Sequence, residues 1–211
     1  MCSLVRMTLD TETGDVGLVR AIKEFSPDFL NHIADYAGDL RRESLLIFLT
    51  LAKAIGAKTI VETGTIRVKD APDGQSTKVF AEYARLTGAK VYSVDITPEH
   101  IETSKSELGD LLPYVTYACE DSVTWLSRFN APIDMLYLDS YDFEVDNPTA
   151  SQQHELAEIG AAYGKLSTPG AVLLDDCALP FEGKGYLGTR FLQSRGWKMV
   201  FDGYQRLFIN F

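Results

Sequence analysis

The sequence has no apolar stretch approaching the roughly 20 residues that a membrane helix needs. Its first residues lack the basic start, apolar run and small-residue cleavage site of a secretory signal. Cysteine is scarce, with only Cys2, Cys119 and Cys177, an odd number without metal-type spacing. Cys119 and Cys177 sit in or beside apolar runs, so free buried thiols in a reducing, cytoplasmic setting are expected. Positive charge is also short: 20 Lys and Arg face 30 Asp and Glu, a formal net charge of -10. A domain-wide acidic balance disfavours nucleic acid and anionic membrane, both polyanions. Internal repeats, low-complexity segments and linkers are missing as well. With 211 residues, 45% of them hydrophobic, one sizeable core is expected.

What is present is an alternation of short apolar runs and helical patterns. The β-branched run Thr59–Val61 ends in Glu62 and the turn residue Gly64, which reads as a strand buried on both faces. Further strands are read at Val91–Val94, Tyr114–Ala118, Ile133–Leu138 and Ala171–Leu174, with helical patterns between them. Leu40–Ile55 is a helix ending at Gly56, and Ser26-Pro27 opens another through about Tyr36. At the end, Trp197–Phe201 and Tyr204–Ile209 flank Asp202-Gly203, a hairpin signal. The fold class is therefore α/β, a mostly parallel sheet with helices on both faces and an antiparallel hairpin at the end. Residues 1–39 are read as a helical extension and 40–211 as the main domain.

Acids gather at the carboxyl ends of these strands: Glu62, Asp95, Asp139 and the pair Asp175-Asp176. Open parallel sheets bind ligands outside those ends, at the switch point. A pyrophosphate binder wants several glycines after its first strand. Here there is one glycine and a carboxylate, which suit a ligand with a positive group and no phosphate. S-adenosylmethionine, with an ammonium and a sulfonium, is such a ligand. Asp95 lies about 30 residues after Gly64, against about 20 in dinucleotide folds, and the polar stretch Ile66–Gly74 accounts for the difference. It is suited to accept hydrogen bonds from two ribose hydroxyls, beside a plainer reading as a helix cap. Asp121-Ser122 reads equally as a cap and as an adenine contact. Glu62 needs a partner if buried, either the ligand or amides of its own turn. Ser76 and Thr77 begin the next helix, whose free amides suit a ligand carboxylate.

The motifs VETGT, VYSVDI, CEDS, IDMLYLDS and PGAVLLDD, closed by a hairpin, resemble a class I S-adenosylmethionine-dependent methyltransferase from about Leu40 to the C-terminus. The resemblance implies a seven-stranded Rossmann-like sheet with its last strand antiparallel. It implies S-adenosyl-L-methionine as cofactor, with Glu62, Thr63, Gly64 and Thr65 by the methionine part, Asp95 and Ile96 at the ribose, and Asp121, Ser122, Asp139 and Tyr141 around the rest. Asp139, Asp175 and Asp176 look like the metal site of catechol-type and macrolide-sugar O-methyltransferases, which implies Mg²⁺ or another divalent cation; the alternative is that Asp176 faces solvent and Asp175 binds a backbone amide. Catechol-type enzymes place a lysine base three residues after the first metal Asp; this chain has Asp142 there, read as a base or an unrelated loop acid. His32, His100 and His154 are read as surface histidines. The expectation is O-methylation of a small-molecule acceptor, with a homodimer left open. A nicotinamide-dependent oxidoreductase and a non-catalytic adenosine-ligand binder are the alternatives.

Overall fold

The computed structural model describes residues 38–71 and 74–211; the expected helix at 26–36 and all but the last two residues of the extension read at 1–39 lie outside them. Helix α1 (Gly38–Ile55) leads into β1 (Thr59–Thr63). Then follow α2 (Ser76–Thr87), β2 (Lys90–Asp95), α3 (Pro98–Leu108), β3 (Val115–Cys119), α4 (Ser122–Arg128) and β4 (Ile133–Leu138). The chain closes with α5 (Pro148–Ala162), β5 (Leu166–Leu174), α6 (Tyr186–Ser194), β6 (Lys198–Asp202) and β7 (Arg206–Ile209). The seven strands form one sheet in the order β3-β2-β1-β4-β5-β7-β6. All neighbours run parallel except β7, which is antiparallel to both β5 and β6. No described helix is long and apolar enough to cross a membrane.

Period-two alternation explains the two-sided core. Ile60, Met135, Tyr137 and Leu173 point to the face covered by α1 and α2, where they meet Leu45, Phe48, Phe80 and Tyr83. Val61, Leu136, Leu138, Val172 and Leu174 point the other way, onto Trp125, Leu126, Ile159 and Leu192. Both faces are apolar, so the central strands read as continuous hydrophobic runs. Their tips are where polar residues can first be placed.

Three local differences from the sequence reading matter. The hairpin forms, but β7 starts at Arg206 rather than Tyr204. Tyr204 and Gln205 leave the ladder because their side chains turn inward: the Tyr204 hydroxyl donates to Asp176 at 2.5 Å and Gln205 Nε2 donates to Asp175 at 3.2 Å. Strand β5 begins five residues earlier than read, at Leu166. Cys177 is buried, but Cys119, at the end of edge strand β3, is exposed.

Candidate active site

The strand order reverses between β1, which continues to β2, and β4 on its other side. At this switch point the carboxyl ends open into a cleft of about 340 Å³. A second cavity of about 230 Å³ adjoins it. Asp95 and Ile96 line both.

Gly64 makes the close approach possible. It has φ +84°, and a Cβ there would stand 2.4 Å from the carbonyl oxygen of Asp139. Any side chain would force the β1 turn away from the end of β4. Gly64 N also donates to Val94 O at 2.8 Å, tying this turn to β2.

Glu62 follows Ile60 onto the α1/α2 face and has no exposed surface. Although it lines the cleft, no amide of its own turn bonds it among the described residues. Instead three hydroxyls donate to it: Ser76 at 2.5 Å, Thr77 at 2.8 Å and Ser93 at 2.8 Å. Ser93 is its register partner on β2, while Ser76 and Thr77 come from the start of α2. Burial pushes this carboxyl up to about 7, and the three hydroxyls hold it from rising further. Glu62 thus fastens α2 under the cleft, and both it and Ser76 line the open space. Thr65 Oγ1 donates to Ser104 at 2.8 Å and lies 3.2 Å from Thr77 Oγ1. Thr63 is fully buried, and its hydroxyl has no hydrogen-bond partner among the described residues.

Asp95 accepts from Thr97 N through Oδ1 at 2.7 Å, and His100 Nδ1 stands 3.3 Å from both of its oxygens. It is a turn acceptor whose second oxygen, among the described residues, has this one long contact. Asp121 is the N-cap of α4, accepting from Thr124 N at 2.8 Å, and that bond lowers its pKa. Asp121 also lines the second cavity, together with Ser122, Tyr141 and His154, so cap and cavity wall are one residue. The sequence reads His154 as a surface residue. It is half-buried, 3.1 Å from Ser122 Oγ, 3.6 Å from Glu158 and 5.2 Å from the Tyr141 ring, and Glu158 raises its pKa. Its register on α5, four residues before Glu158, is the only sequence signal for that role.

The acids after β4 and β5 do converge, as the sequence implies, but cations of the chain hold them together. Lys184 Nζ bonds Asp139 Oδ1 at 2.6 Å and Asp176 Oδ2 at 2.9 Å. Arg41, from α1, donates through Nε to Asp175 at 2.8 and 3.1 Å and through Nη2 to Asp176 at 3.2 Å. Asp175 is fully buried and also accepts from the Tyr137 hydroxyl at 2.8 Å. Burial opposes ionisation of Asp175, yet Arg41 and Lys184 bring its pKa below the usual carboxylate value. Burial would lower Lys184 too, and the three aspartates reverse that, keeping the ammonium charged. Asp139 faces the cleft with its side chain 26% exposed. Burial and the Asp175 charge push its pKa up, against Lys184.

The expected metal site finds no support in this arrangement. Among the described residues no three His, Cys, Asp or Glu side chains are grouped to hold a metal. The donor set of Asp139, Asp175 and Asp176 does not fit a divalent ion, because its oxygens already bind Lys184, Arg41, Tyr137 and Tyr204. Asp142 lies on the cleft rim in an exposed pair with Arg67 at 2.6 Å.

No protein-family model matches the sequence, and no curated protein matches it. Solved structures match the fold. The cofactor-bound protein Rv0187 from MTB aligns with TM-score 0.58 and 17% identity, over 95% of this chain and 92% of that one. The SAH-bound methyltransferase of Podospora anserina aligns with TM-score 0.58 and 16% identity, over 99% of both chains. The O-methyltransferase of Bacillus cereus in complex with SAH gives TM-score 0.54 and 14% identity, over 95% of this chain and 94% of that one. The fold is that of the class I S-adenosylmethionine-dependent methyltransferases.

Proposed function

We propose that this protein transfers the methyl group of S-adenosylmethionine to a hydroxyl of a small molecule. The observation that carries the reading is the place of Asp95. It stands at the tip of β2 between two adjoining cavities, beside a glycine turn that admits close approach. Asp95 would take the ribose hydroxyls. Ile96, Asp121, Ser122 and Tyr141 would wall the adenine, with His154 behind them. Gly64, Thr65 and Ser76 would face the methionine part, with Thr63, Thr77 and Glu62 supporting them from below. The cofactor supplies a methyl group on a sulfonium.

The chain's own residues must align the acceptor and take its proton. Asp139 is a partly exposed acid lining the cleft, and a carboxyl with an upward-shifted pKa suits a general base. The expected Mg²⁺ has no part in this reading, since the donor set does not fit it. A small acceptor agrees with the acids Asp95, Asp139, Asp142 and Asp176 around the cleft and with the net charge of -10, both unfavourable to a polyanion. The O-methyltransferase neighbour agrees with a hydroxyl acceptor.

Calorimetry tests the reading. S-adenosylmethionine and its demethylated product should bind and NAD should not, and Asp95→Ala should weaken S-adenosylmethionine by about 1.5–3 kcal/mol, the scale of a hydrogen bond to a charged group. Binding of NAD alone, or unchanged affinity in a folded Asp95→Ala protein, overturns it.

A further inference from the structure

Lys184 bridges two of the three acids from which a divalent-cation site is expected. Its ammonium is bonded at once to Asp139 and Asp176, at 2.6 and 2.9 Å, on the tips of neighbouring strands. A bound Ca²⁺ would sit about 2.3–2.6 Å from the same kind of oxygens, and Mg²⁺ at about 2.0–2.1 Å. The two arrangements exclude each other.

The loop that delivers Lys184 is built for this. Asp176, Phe181 and Glu182 have φ of 52, 58 and 63°, in the left-handed region that such residues rarely adopt. Gly183 follows with φ 57°, and a Cβ on it would lie 1.7 Å from the Asp176 carbonyl oxygen. Gln152, from α5, clamps the loop by donating to Phe181 O at 3.2 Å and Gly183 O at 3.0 Å. Lys184 itself is 3% exposed. A surface loop does not wind this tightly, nor bury a lysine, without an electrostatic reason, and the aspartates supply it.

We propose that Lys184 is a tethered replacement for the divalent cation, a positioning residue that holds Asp139 for proton transfer, and that the site accepts a single hydroxyl rather than a chelating pair. The mechanistic part rests on the methyltransferase reading; the ammonium-for-metal part does not. As the oxygen–methyl bond forms, the sulfur–methyl bond breaks and its electron pair stays on sulfur. The hydroxyl proton passes to Asp139, which returns it to water after release. Charge balances, since the sulfonium's positive charge leaves with that proton. With Lys184 between the aspartates, neighbouring hydroxyls of an acceptor gain nothing from metal chelation at this site.

The experiment titrates Mn²⁺ alone into the full chain, wild type and Lys184→Ala, and follows binding by calorimetry and by the electron-spin signal of free Mn²⁺. The wild type should bind no Mn²⁺ at this site and its melting temperature should not move. Lys184→Ala should bind one Mn²⁺ per chain, at least tenfold tighter than wild type, and Asp176→Asn added to it should remove that binding. Lys184→Met, which keeps most of the side-chain volume, takes its place if the alanine variant does not fold. Tight Mn²⁺ binding by wild type, or no gain in a folded Lys184 variant, overturns the proposal. If Mn²⁺ behaves as expected but S-adenosylmethionine does not bind wild type, the replacement stands and the methyltransferase reading falls. Given an acceptor, turnover by wild type should be unchanged in excess EDTA; loss of turnover restored by Mg²⁺ overturns the proposal.

Discussion

The two sides of the cleft satisfy their acids in opposite ways. At the tips of β1, β2 and β3, Glu62, Asp95 and Asp121 are met by hydroxyls, backbone amides and a histidine ring. At the tips of β4 and β5, Asp139, Asp175 and Asp176 are met by a lysine and an arginine. Neutral donors leave a carboxylate able to attract a ligand's cation or hydroxyls. Buried ion pairs fix geometry and leave little for a second cation to gain. The first side is thus suited to recognising a ligand and the second to holding one reactive group in place.

The sharpest way to break this contrast is Asp175→Ala. It leaves buried Arg41 with Asp176 as its remaining acid in this cluster and strips acceptors from Tyr137 and Gln205. Removing one partner of a buried pair costs about 3–5 kcal/mol, to be read by urea denaturation. A loss under about 1 kcal/mol would mean that the cluster does not hold the fold.

Glu62→Gln probes the other side. The Glu62 carboxyl sits at about 7 in the fold against an ordinary 4.5. The folded state therefore holds the proton more tightly than the unfolded chain. That stability is present in full below pH 4.5 and is lost as pH rises through 7, by about 3 kcal/mol for a shift of this size. The stability difference between wild type and Glu62→Gln should fall by that amount across the window. A difference flat with pH would mean that the three hydroxyls keep Glu62 ionised throughout.

Much of this architecture was legible in the chain, and the contrast shows where legibility ends. The β-branched and apolar runs located all the central strands because both faces of the sheet are buried. The acids at their tips were visible because a charge at the end of such a run has few structural uses. Arg41 and Lys184 were not visible. A lysine in a glycine-rich loop and an arginine in the first turns of a helix look solvated, and only the folded loop brings them to the strand tips. One signal was available: three converging carboxylates need counter-charge, and Lys184 lies in the loop that leaves Asp175-Asp176. Glu62's partners were half-visible. Ser76 and Thr77 were singled out for their amides, but their hydroxyls do the bonding, and Ser93 becomes a partner only through the β1–β2 register.

The smallest expected effect belongs to Asp142, the acid that stands where catechol-type enzymes carry a lysine. Its side chain is 72% exposed and that of Arg67 is 53% exposed, so water screens their 2.6 Å pair. Exposed pairs contribute about 0–1 kcal/mol, and Asp142→Ala should change stability by no more than that. Arg67 already occupies one of its oxygens, and it lies on the rim rather than at the β4 tip. A general base, by comparison, is worth about 10²–10⁴-fold in rate. Asp139→Asn should lose turnover on that scale, while Asp142→Ala should lose only a few-fold, and both should keep their affinity for S-adenosylmethionine. Rates measured for the two variants under saturating cofactor decide the matter. If Asp142→Ala loses the larger factor, the proton leaves through the rim pair, and the buried cluster of Asp139 and Lys184 is scaffold alone.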